Sequence, residues 1–586
     1  MGKHVPLSSG ARHVPAASWL AGIVVVSSLV RFALARHVVA PWIVADEIIH
    51  SDLAKSFAST GQFLIRGEGV GASFGVVYQV LISFAYRLFA SVPDVYLAIK
   101  AINAVTMSLA AIPAYLLARR VLSHGLSLIA AALTVAVPSM VYTGMVMTES
   151  AFYPLFLCTT LFLFLYLESP SVLRAVLLVA LSAVAFATRT EAICLVPTML
   201  SAPLVLIWLD RSGWRALRKY QHLYWLVGGT IVLTLVVELS SGSSPFAAFG
   251  AYQASASSTS SIGSVPRWFL YHLAELDLYV GVFPFAAFLV LLTLARRLST
   301  RRRIFIAVVA PLMFWLLLEV AAVARLPVFN RIEERYTFYL APLLLIASLV
   351  WIAERAPRPV LATGLAATLA ALLPAFIPVE RLVNGPGVVT DTLALVPWWT
   401  LHDSFAVGFG QIQIMIVVAA LAIVCIFVFI PARLALVLPA LVLVCFAVVQ
   451  WQIDGGPHGA GAISTAALAA GTGGEESDWI DRAVGTDAQV TVVWTGKTSL
   501  YTIWENEFFN RSVGVVYNLT TPPFGAMPAP MAAFDSSGLM RDEEGLPVYA
   551  SYVLTDTSLQ LRGKQVAADP TTQMVLYGVQ GPVQST

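Results

Sequence analysis

The chain of 586 residues contains few charged residues. Only 12% of its residues are Asp, Glu, Lys or Arg, whereas 58% are hydrophobic. Soluble domains carry about twice that share of charged residues, so the composition excludes an ordinary soluble protein and predicts a polytopic membrane protein. The net charge of +2 gives no basic surface for a polyanion, and we expect no nucleic-acid partner.

Cysteine is scarce as well. The four cysteines, at positions 158, 194, 425 and 445, all lie in apolar runs. This placement argues against a disulfide framework and against a zinc site built from cysteines.

Long apolar runs are what the sequence has in abundance. Residues 1–16 are polar and basic without a small-residue cleavage site after them, so the run 18–35 is predicted to be a retained span. Residues 74–92 form an extra apolar stretch, which we interpret as a re-entrant or interfacial helix because a further span would invert all later ones. Runs of roughly 18–22 residues, long enough to cross a bilayer, predict about thirteen spans, at 18–35, 96–118, 125–143, 148–167, 172–188, 190–209, 223–241, 276–295, 304–323, 336–353, 358–377, 411–430 and 432–450.

Basic clusters set the predicted orientation. With the N-terminus in the cytoplasm, nearly all of them fall in inner loops, as the positive-inside rule requires. The outer loops then hold acids and isolated arginines from distant parts of the chain. This sidedness predicts a polar site on the extracytoplasmic face of the plasma (inner) membrane, with the candidate residues Asp46, Glu47, Glu149, Arg189, Glu191, Arg331, Glu334, Arg335 and Tyr336.

Asp46 and Glu47 open an amphipathic helix that Gly61 is predicted to end. Acids just beyond a span are costly to keep dry, which points to a function for them. Glu149 begins a predicted span, where it either complements the helix dipole or belongs to the site. Arg189 and Glu191 lie in a very short outer turn, where they either pair with each other or bind a ligand.

Residues 325–339 form a second concentration of charge. Arg331 and Arg335 are one helical turn apart, so their guanidinium groups are predicted to point the same way. Two such groups at a membrane surface suit a phosphate, which arginine binds bidentately. The alternative is a ladder of these arginines with Glu333 and Glu334.

The composition changes near residue 450. We predict a transmembrane domain at 1–450, a Gly/Ala-rich linker at 451–475 and a small extracytoplasmic α/β domain at 476–586, with helices at 478–484 and 499–508. Its strands are predicted near 489–494, 512–517, 549–555 and 573–578. The Ser/Gly/Ala-rich loop within 242–275 is predicted to be a mobile lid or a linker.

Several short motifs together resemble the GT-C superfamily of membrane glycosyltransferases, in its bacterial branch of aminoarabinose transferases and protein O-mannosyltransferases, with actinobacterial-type members. The resemblance covers roughly residues 15–450. The matching motifs are Ala45-Asp46-Glu47 with Leu53-Ala54, Thr148-Glu149, Thr188-Arg189-Thr190-Glu191 and Glu334-Arg335-Tyr336.

The resemblance implies an all-α polytopic fold and an inverting transfer of a sugar from a polyprenyl-phosphate carrier to a cell-envelope acceptor. It implies that Asp46 and Glu47 are catalytic, with Asp46 as general base. The two adjacent acids also suggest a divalent cation, Mg²⁺, Mn²⁺ or Ca²⁺. The remaining candidates would bind substrate, and membrane lipids would surround the chain. The alternative function is a flippase or transporter of lipid-linked sugars without catalysis, which predicts charged residues along the middles of the spans.

Overall fold

The computed structural model describes residues 15–69, 75–240, 262–327, 329–383, 391–472, 476–521, 527–528 and 530–586. The Ser/Gly/Ala-rich part of the predicted lid and the end of the predicted linker lie outside the described residues. The described chain is mostly helical and has a small sheet domain at its C-terminal end, as the composition predicts.

Apolar α-helices follow one another through the first 472 residues. In chain order they are α1 (Ala16–Ala35), α2 (Val44–Thr60), α3 (Val77–Leu88), α4 (Val92–Ser108), α5 (Ala111–Ala118), α6 (His124–Ala136), α7 (Glu149–Glu168), α8 (Val172–Phe186), α9 (Leu195–Asp210), α10 (Gln221–Ser240), α11 (Val265–Tyr279), α12 (Phe283–Leu294), α13 (Thr300–Ala324), α14 (Glu334–Thr337), α15 (Ala341–Ala353), α16 (Val360–Leu372), α17 (Val379–Leu382), α18 (Val396–Phe405), α19 (Phe409–Phe429), α20 (Val437–Gly455) and α21 (Ala460–Thr472).

Each of the predicted spans falls on one of these helices or on a bent pair. Nine helices of the described residues are long and apolar enough to cross a membrane, or up to eleven if the bent pairs 124–144 and 265–297 each count as one span. The other two predicted spans fall on the shorter apolar helices 172–186 and 360–376, which explains why the prediction of about thirteen exceeds the count. The chain is a multi-pass membrane protein.

The stretch 74–92 does not contain a further span. Its helix α3 has 12 residues, which rise about 18 Å and cannot cross a hydrocarbon core of about 30 Å. Helix α3 packs between α2 and α4. This arrangement agrees with the interfacial interpretation of the sequence.

Aromatic side chains fix the end of the bundle where the candidate residues lie. The ring of Phe152, near the start of α7, meets Tyr339 edge-on with 4.8 Å between centroids, and Tyr153 lies 5.2 Å from Phe338. All four rings are fully buried. The first turn of α7 is thereby held against the segment that follows α14, so the two charged segments that precede these rings are brought together.

The C-terminal residues form the predicted α/β domain. The described strands are β1 (Leu64–Ile65), β2 (Glu68–Gly69), β3 (Val490–Trp494), β4 (Val513–Asn518), β5 (Ala532–Phe534), β6 (Met540–Asp542), β7 (Tyr552–Asp556), β8 (Lys564–Asp569) and β9 (Met574–Gly578). Helices α22 (Trp479–Val484) and α23 (Leu500–Phe509) accompany a five-stranded sheet in the order β4-β3-β7-β9-β8. Strands β4, β3 and β7 run parallel, and β9 is antiparallel to both of its neighbours, β7 and β8.

This sheet domain rests on the loop between α1 and α4. Phe508 and Phe509 join a buried cluster with residues of α2, α3 and α4, and the Phe508 ring meets Tyr96 edge-on at 5.2 Å. The predicted linker is helical over α21, which packs against α23. The sheet domain is therefore held directly against the helix that carries Asp46.

A buried ion pair crosses this contact. The Nε and Nη2 atoms of Arg66 donate to the two carboxylate oxygens of Glu507 at 2.7 and 2.8 Å, and the side chains are only 4% and 1% exposed. We expect Glu507→Ala to lower the free energy of unfolding by about 3 kcal/mol, because it leaves a guanidinium buried without its partner. Thermal unfolding of the purified protein and proteolysis of the sheet domain measure the loss.

The control for that experiment is Glu544→Ala, since Glu544 is an exposed acid of the same domain. Arg66→Met combined with Glu507→Leu removes both charges, and we expect it to recover most of the stability. If Glu507→Ala and Glu544→Ala unfold at the same temperature, the ion pair does not hold the domain in place.

Candidate active site

Asp46 is the most accessible acid of the candidate site. It lies in the first turn of α2, a helix that ends as predicted at Gly61, whose φ of +74° favours glycine. Its Oδ2 accepts a hydrogen bond from Nη1 of Arg335 at 2.9 Å, and its side chain is 39% exposed, against 7% for Arg335. Burial raises the pKa of Asp46, but the guanidinium groups of Arg335 and Arg189 oppose this, and the pKa lies below its ordinary value. Asp46 is therefore a carboxylate at neutral pH.

Arg331 and Arg335 share two acids. Arg331 donates to Glu333 at 2.9 Å and lies 3.0 Å from Asp391, whereas Nε of Arg335 is 3.7 Å from Glu333 and 3.5 Å from Asp391. The helix begins only at Glu334, so Arg331 precedes it and the predicted helical spacing does not apply. The two guanidinium groups nevertheless face the same pair of carboxylates.

The Tyr336 ring contacts both Arg335 and Arg189. Its hydroxyl accepts a hydrogen bond from Nη2 of Arg335 at 2.8 Å. The guanidinium carbons of Arg335 and Arg189 lie 4.9 and 5.1 Å from the ring centroid. Two cations thus share one aromatic ring near Asp46, and each is stabilised there by a cation–π contact.

Arg189 is held by three side chains. Its Nε and Nη2 donate to the two oxygens of Glu191 at 3.0 and 2.8 Å, and its Nη1 donates to Thr148 at 2.9 Å and lies 2.5 Å from Glu149. The pairing of Arg189 with Glu191 that the sequence offered as one alternative is therefore present, and Arg189 also reaches the start of α7; ligand binding, the other alternative, stays a prediction. The group is buried, and its position is fixed before any ligand binds.

Glu47 has surroundings quite unlike those of Asp46. It is fully buried, and its Oε1 accepts hydrogen bonds from the backbone N–H groups of Trp42 and Ile43 at 2.9 and 3.1 Å. Its Oε2 accepts from the N–H of Val146 at 2.9 Å. Burial raises the pKa of Glu47 to about 7, and these N–H groups together with Lys100 oppose that rise. Glu47 joins α2 to the segment that leads into α7.

Glu334 also faces the protein interior. It is buried, and its Oε2 accepts a hydrogen bond from the N–H of Ala394 at 2.8 Å. Its carboxyl group lies against that of Glu275 in α11. Its carboxyl group is thus engaged by Ala394 and Glu275, away from the arginines of the site, and this geometry supports a structural position.

The pair Asp46 and Glu47 does not suit a divalent cation in this arrangement. One oxygen of Asp46 is engaged by Arg335, and both oxygens of Glu47 are engaged by backbone N–H groups. Hard cations need several oxygen ligands that converge on one point. Within the described ranges, no three His, Cys, Asp or Glu side chains are grouped so that they could hold a metal ion.

The structure turns two of the predicted site residues, Glu47 and Glu334, toward the protein interior. It brings the others together: Asp46, Arg331, Arg335, Tyr336, Arg189, Glu149 and Glu191.

Two residues of the site, Asp391 and His50, were not predicted from the sequence. No sequence pattern marks Asp391 as a site residue, because a lone acid in a long loop resembles any solvated residue. His50 follows Asp46 by four residues on α2, so helical spacing places them on one face. Burial lowers the pKa of His50 to about 4, with Arg189 and Arg335 acting in the same direction against Asp46, and the imidazole is neutral.

An apolar groove of about 290 Å³ lies between α8, α9 and α10. Three of its lining residues, Phe186, Ala192 and Ile193, lie within about four positions of Arg189 in the sequence. Its other lining residues are Val179, Ser182, Ala183, Val196, Met199, Val227, Thr230, Ile231, Thr234 and Leu235. The segment that carries Arg189 therefore also contributes to a groove that suits an apolar chain.

Comparisons with known proteins concern the family and the fold of the chain. A family model described as dolichyl-phosphate-mannose-protein mannosyltransferase matches residues 75–240. Among solved structures, ArnT from Cupriavidus metallidurans in the apo state superimposes with a TM-score of 0.54 at 14% identity, over 96% of this chain and 98% of that one. The same protein bound to undecaprenyl phosphate gives a TM-score of 0.56, with the same identity and coverage. No curated protein sequence matches significantly.

The similarity to ArnT extends over nearly the whole chain, including the sheet domain. Identity is low, so the agreement concerns the path of the backbone. The chain therefore has a GT-C fold like that of ArnT, which confirms the GT-C resemblance that its sequence motifs indicate, whereas the actinobacterial type stays a prediction.

Proposed function

We propose that the protein transfers a sugar from a polyprenyl-phosphate carrier to an acceptor of the cell envelope, a glycan, a lipid or a protein. One observation carries this proposal: a half-exposed carboxylate, Asp46, is paired with Arg335, and a second fixed arginine, Arg189, contacts the same Tyr336 ring and belongs to the segment that also lines an apolar groove. A lipid-linked phosphate needs cations for its phosphate and an apolar groove for its lipid. The chain has both, together with a carboxylate that can act as a base.

The donor phosphate binds to Arg335, with Arg331 nearby and Arg189 at the Tyr336 ring. Arginine suits a phosphate because its guanidinium fork matches two phosphate oxygens. The polyprenyl tail follows the groove between α8 and α10. The same groups stabilise the leaving phosphate, on which negative charge develops in the transition state.

Asp46 accepts the proton of the acceptor hydroxyl. The hydroxyl oxygen attacks the anomeric carbon, the bond from that carbon to the phosphate oxygen breaks, and the phosphate leaves with the electron pair. A single displacement inverts the configuration. The phosphate competes with Asp46 for Arg335, and a carboxylate that loses its cation becomes a stronger base. Donor binding therefore raises the basicity of Asp46 at the stage when a base is needed.

The site and the sheet domain face the extracytoplasmic side of the plasma membrane in this proposal. The ion pairs Arg120–Glu168, Arg303–Asp210 and Arg302–Glu354 gather the arginine-rich loops at the other end of the helices. The positive-inside rule assigns that end to the cytoplasm.

A transfer assay on the purified protein in lipid tests the function. Radiolabelled polyprenyl-phosphate sugars are supplied with an extract of envelope acceptors, with and without EDTA. Label in a product, with inverted anomeric configuration by NMR, supports the proposal. If every labelled donor binds but no sugar is transferred, the result supports the transporter.

The EDTA samples test for a divalent cation. Because the acids at 46 and 47 are engaged by Arg335 and by backbone groups, we expect transfer to persist in EDTA. Loss of transfer in EDTA would show that a divalent cation takes part.

The groove makes a separate prediction about the lipid tail. Ala183→Trp places an indole in the groove, so we expect KM for a long-chain donor to rise at least about tenfold, since each excluded methylene costs about 0.8 kcal/mol. Ala180→Trp is the control, because Ala180 is exposed on the same helix and does not line the groove. A donor with one isoprene unit should be affected less than a long one. Equal KM values for both variants would place the tail elsewhere.

A further inference from the structure

A cavity lined by arginines lies at the opposite end of the bundle from the candidate active site. Helix α7 carries Glu149 at its first residue and Glu168 at its last, and its 20 residues rise about 30 Å. Near Glu168 a cavity of about 390 Å³ opens between α5, α7 and the start of α13. It is lined by Tyr115, Leu116, Arg119, Arg120, Leu161, Leu165 and Arg301.

The charge around this cavity is unbalanced. Arg120 donates to one oxygen of Glu168 at 3.1 Å, and Arg301 donates to the other at 2.6 Å. Arg119 turns one nitrogen to the backbone oxygen of Leu122 at 3.0 Å. Glu168 thus pairs with two of the three arginines that line the cavity, Arg119 pairs only with a backbone carbonyl in these contacts, and the Arg301 side chain is still 58% exposed. The cavity therefore favours an anion that accepts from several arginines at once.

The apolar part of the cavity identifies the kind of anion. Leu116, Leu161 and Leu165 form its wall. The exposed side chains of Val105, Leu109, Ile112 and Leu116 continue from it along α4 and α5. These residues are four, three and four positions apart, so they form one stripe on the outside of the bundle. Such a stripe gives an acyl chain a path that ends at the arginines, which a free water-soluble phosphate would not need.

We propose that this cavity binds the phosphodiester head group of an anionic phospholipid, with one acyl chain along the stripe from Val105 to Leu116. Basic pockets between membrane helices on the cytoplasmic side recognise such head groups, and the positive-inside rule places these arginines on that side. The proposed glycosyl transfer does not use this site, so the two proposals stand or fall separately.

The test measures lipid binding by the full-length protein in detergent. Fluorescent phosphatidylglycerol and phosphatidylcholine are titrated, and a photoactivatable phosphatidylglycerol maps the contact by mass spectrometry. We expect phosphatidylglycerol to bind more tightly and to label the segment 105–120. Arg119→Gln with Arg301→Gln should weaken its binding about 25-fold, since each arginine contributes roughly fivefold.

The matched control is Arg215→Gln with Arg218→Gln. These two arginines are exposed in the loop before α10 and do not line the cavity, so the control removes the same charge, and we expect it to bind phosphatidylglycerol like the unmodified protein. Equal losses in both double variants would show diffuse attraction and overturn the proposal.

A competition experiment and a third variant complete the test. Displacement of the lipid by millimolar glycerol phosphate would identify a site for soluble anions and also overturn the proposal. If the double variant at 119 and 301 does not fold, Leu116→Trp serves instead, because it fills the cavity from the exposed side without changing charge. We expect Leu116→Trp to abolish labelling of 105–120, and labelling that persists would place the lipid elsewhere.

Discussion

Asp46→Asn is expected to reduce kcat for sugar transfer by at least about 100-fold, the lower range for loss of a general base. Asparagine has the size of aspartate but cannot accept the proton of the acceptor hydroxyl. Asp46 is 39% exposed and pairs with a single arginine, so the change should leave the thermal unfolding midpoint nearly unaltered. Initial rates with a radiolabelled polyprenyl-phosphate sugar measure the effect.

Asp94→Asn is the control for this result, because Asp94 is an exposed acid in the first turn of α4. The affinity for the donor distinguishes two explanations of a reduced kcat in Asp46→Asn. If Asp46 only positions Arg335, donor binding weakens with the rate; if it is the base, donor binding persists or improves because Arg335 is released to the phosphate. Transfer by Asp46→Asn above a tenth of the original rate would remove Asp46 from the chemistry.

Glu47→Ala is expected to destabilise the protein strongly, although Glu47 adjoins Asp46 in the sequence. Three backbone N–H groups donate to its carboxylate, two of them in buried hydrogen bonds and the third, from Ile43, in a partly buried one. An unpaired buried group costs about 1–3 kcal/mol, so the free energy of unfolding should fall by at least about 3 kcal/mol. Thermal unfolding of the purified protein measures this, and transfer activity should fall together with the folded fraction.

Glu47→Gln gives a graded comparison. Its amide oxygen can still accept from Trp42 and Ile43, but its amide nitrogen would face the N–H of Val146, so we expect an intermediate loss. Glu68→Ala removes an exposed acid from the segment between α1 and α4, and it should change neither the unfolding midpoint nor the rate of transfer. A Glu47→Ala protein that melts normally but does not transfer sugar would make Glu47 catalytic, as the sequence first suggested.

The contrast between these neighbours shows what the sequence could and could not predict. Length and hydropathy were enough to place the membrane helices, because that pattern repeats over many residues, and the four predicted strands of the C-terminal domain also fall on strands of its sheet. Adjacent residues on a helix are about 100° apart, so a pair of acids in the sequence is divided between two surroundings. Periodicity alone could not show which acid would be buried.

Contacts between distant segments were beyond prediction for a related reason. Arg331 and Arg335 were expected to align through helical spacing, but they meet because both face Glu333 and Asp391. That arrangement depends on where α14 begins and on the path of a loop that returns later in the chain. The charges on one membrane face were predictable from topology, whereas their pairing required the packed structure.

The contact between α2 and the sheet domain has a consequence for biosynthesis. Arg66 and Glu507 are 441 residues apart, and a ribosome takes between about 20 and 90 s to synthesise that length. During this time α2 emerges without the aromatic cluster and the ion pair that later hold it. The helix that carries Asp46 therefore reaches its final position only when the last domain has been made, and a prematurely terminated chain would span the membrane without an assembled site.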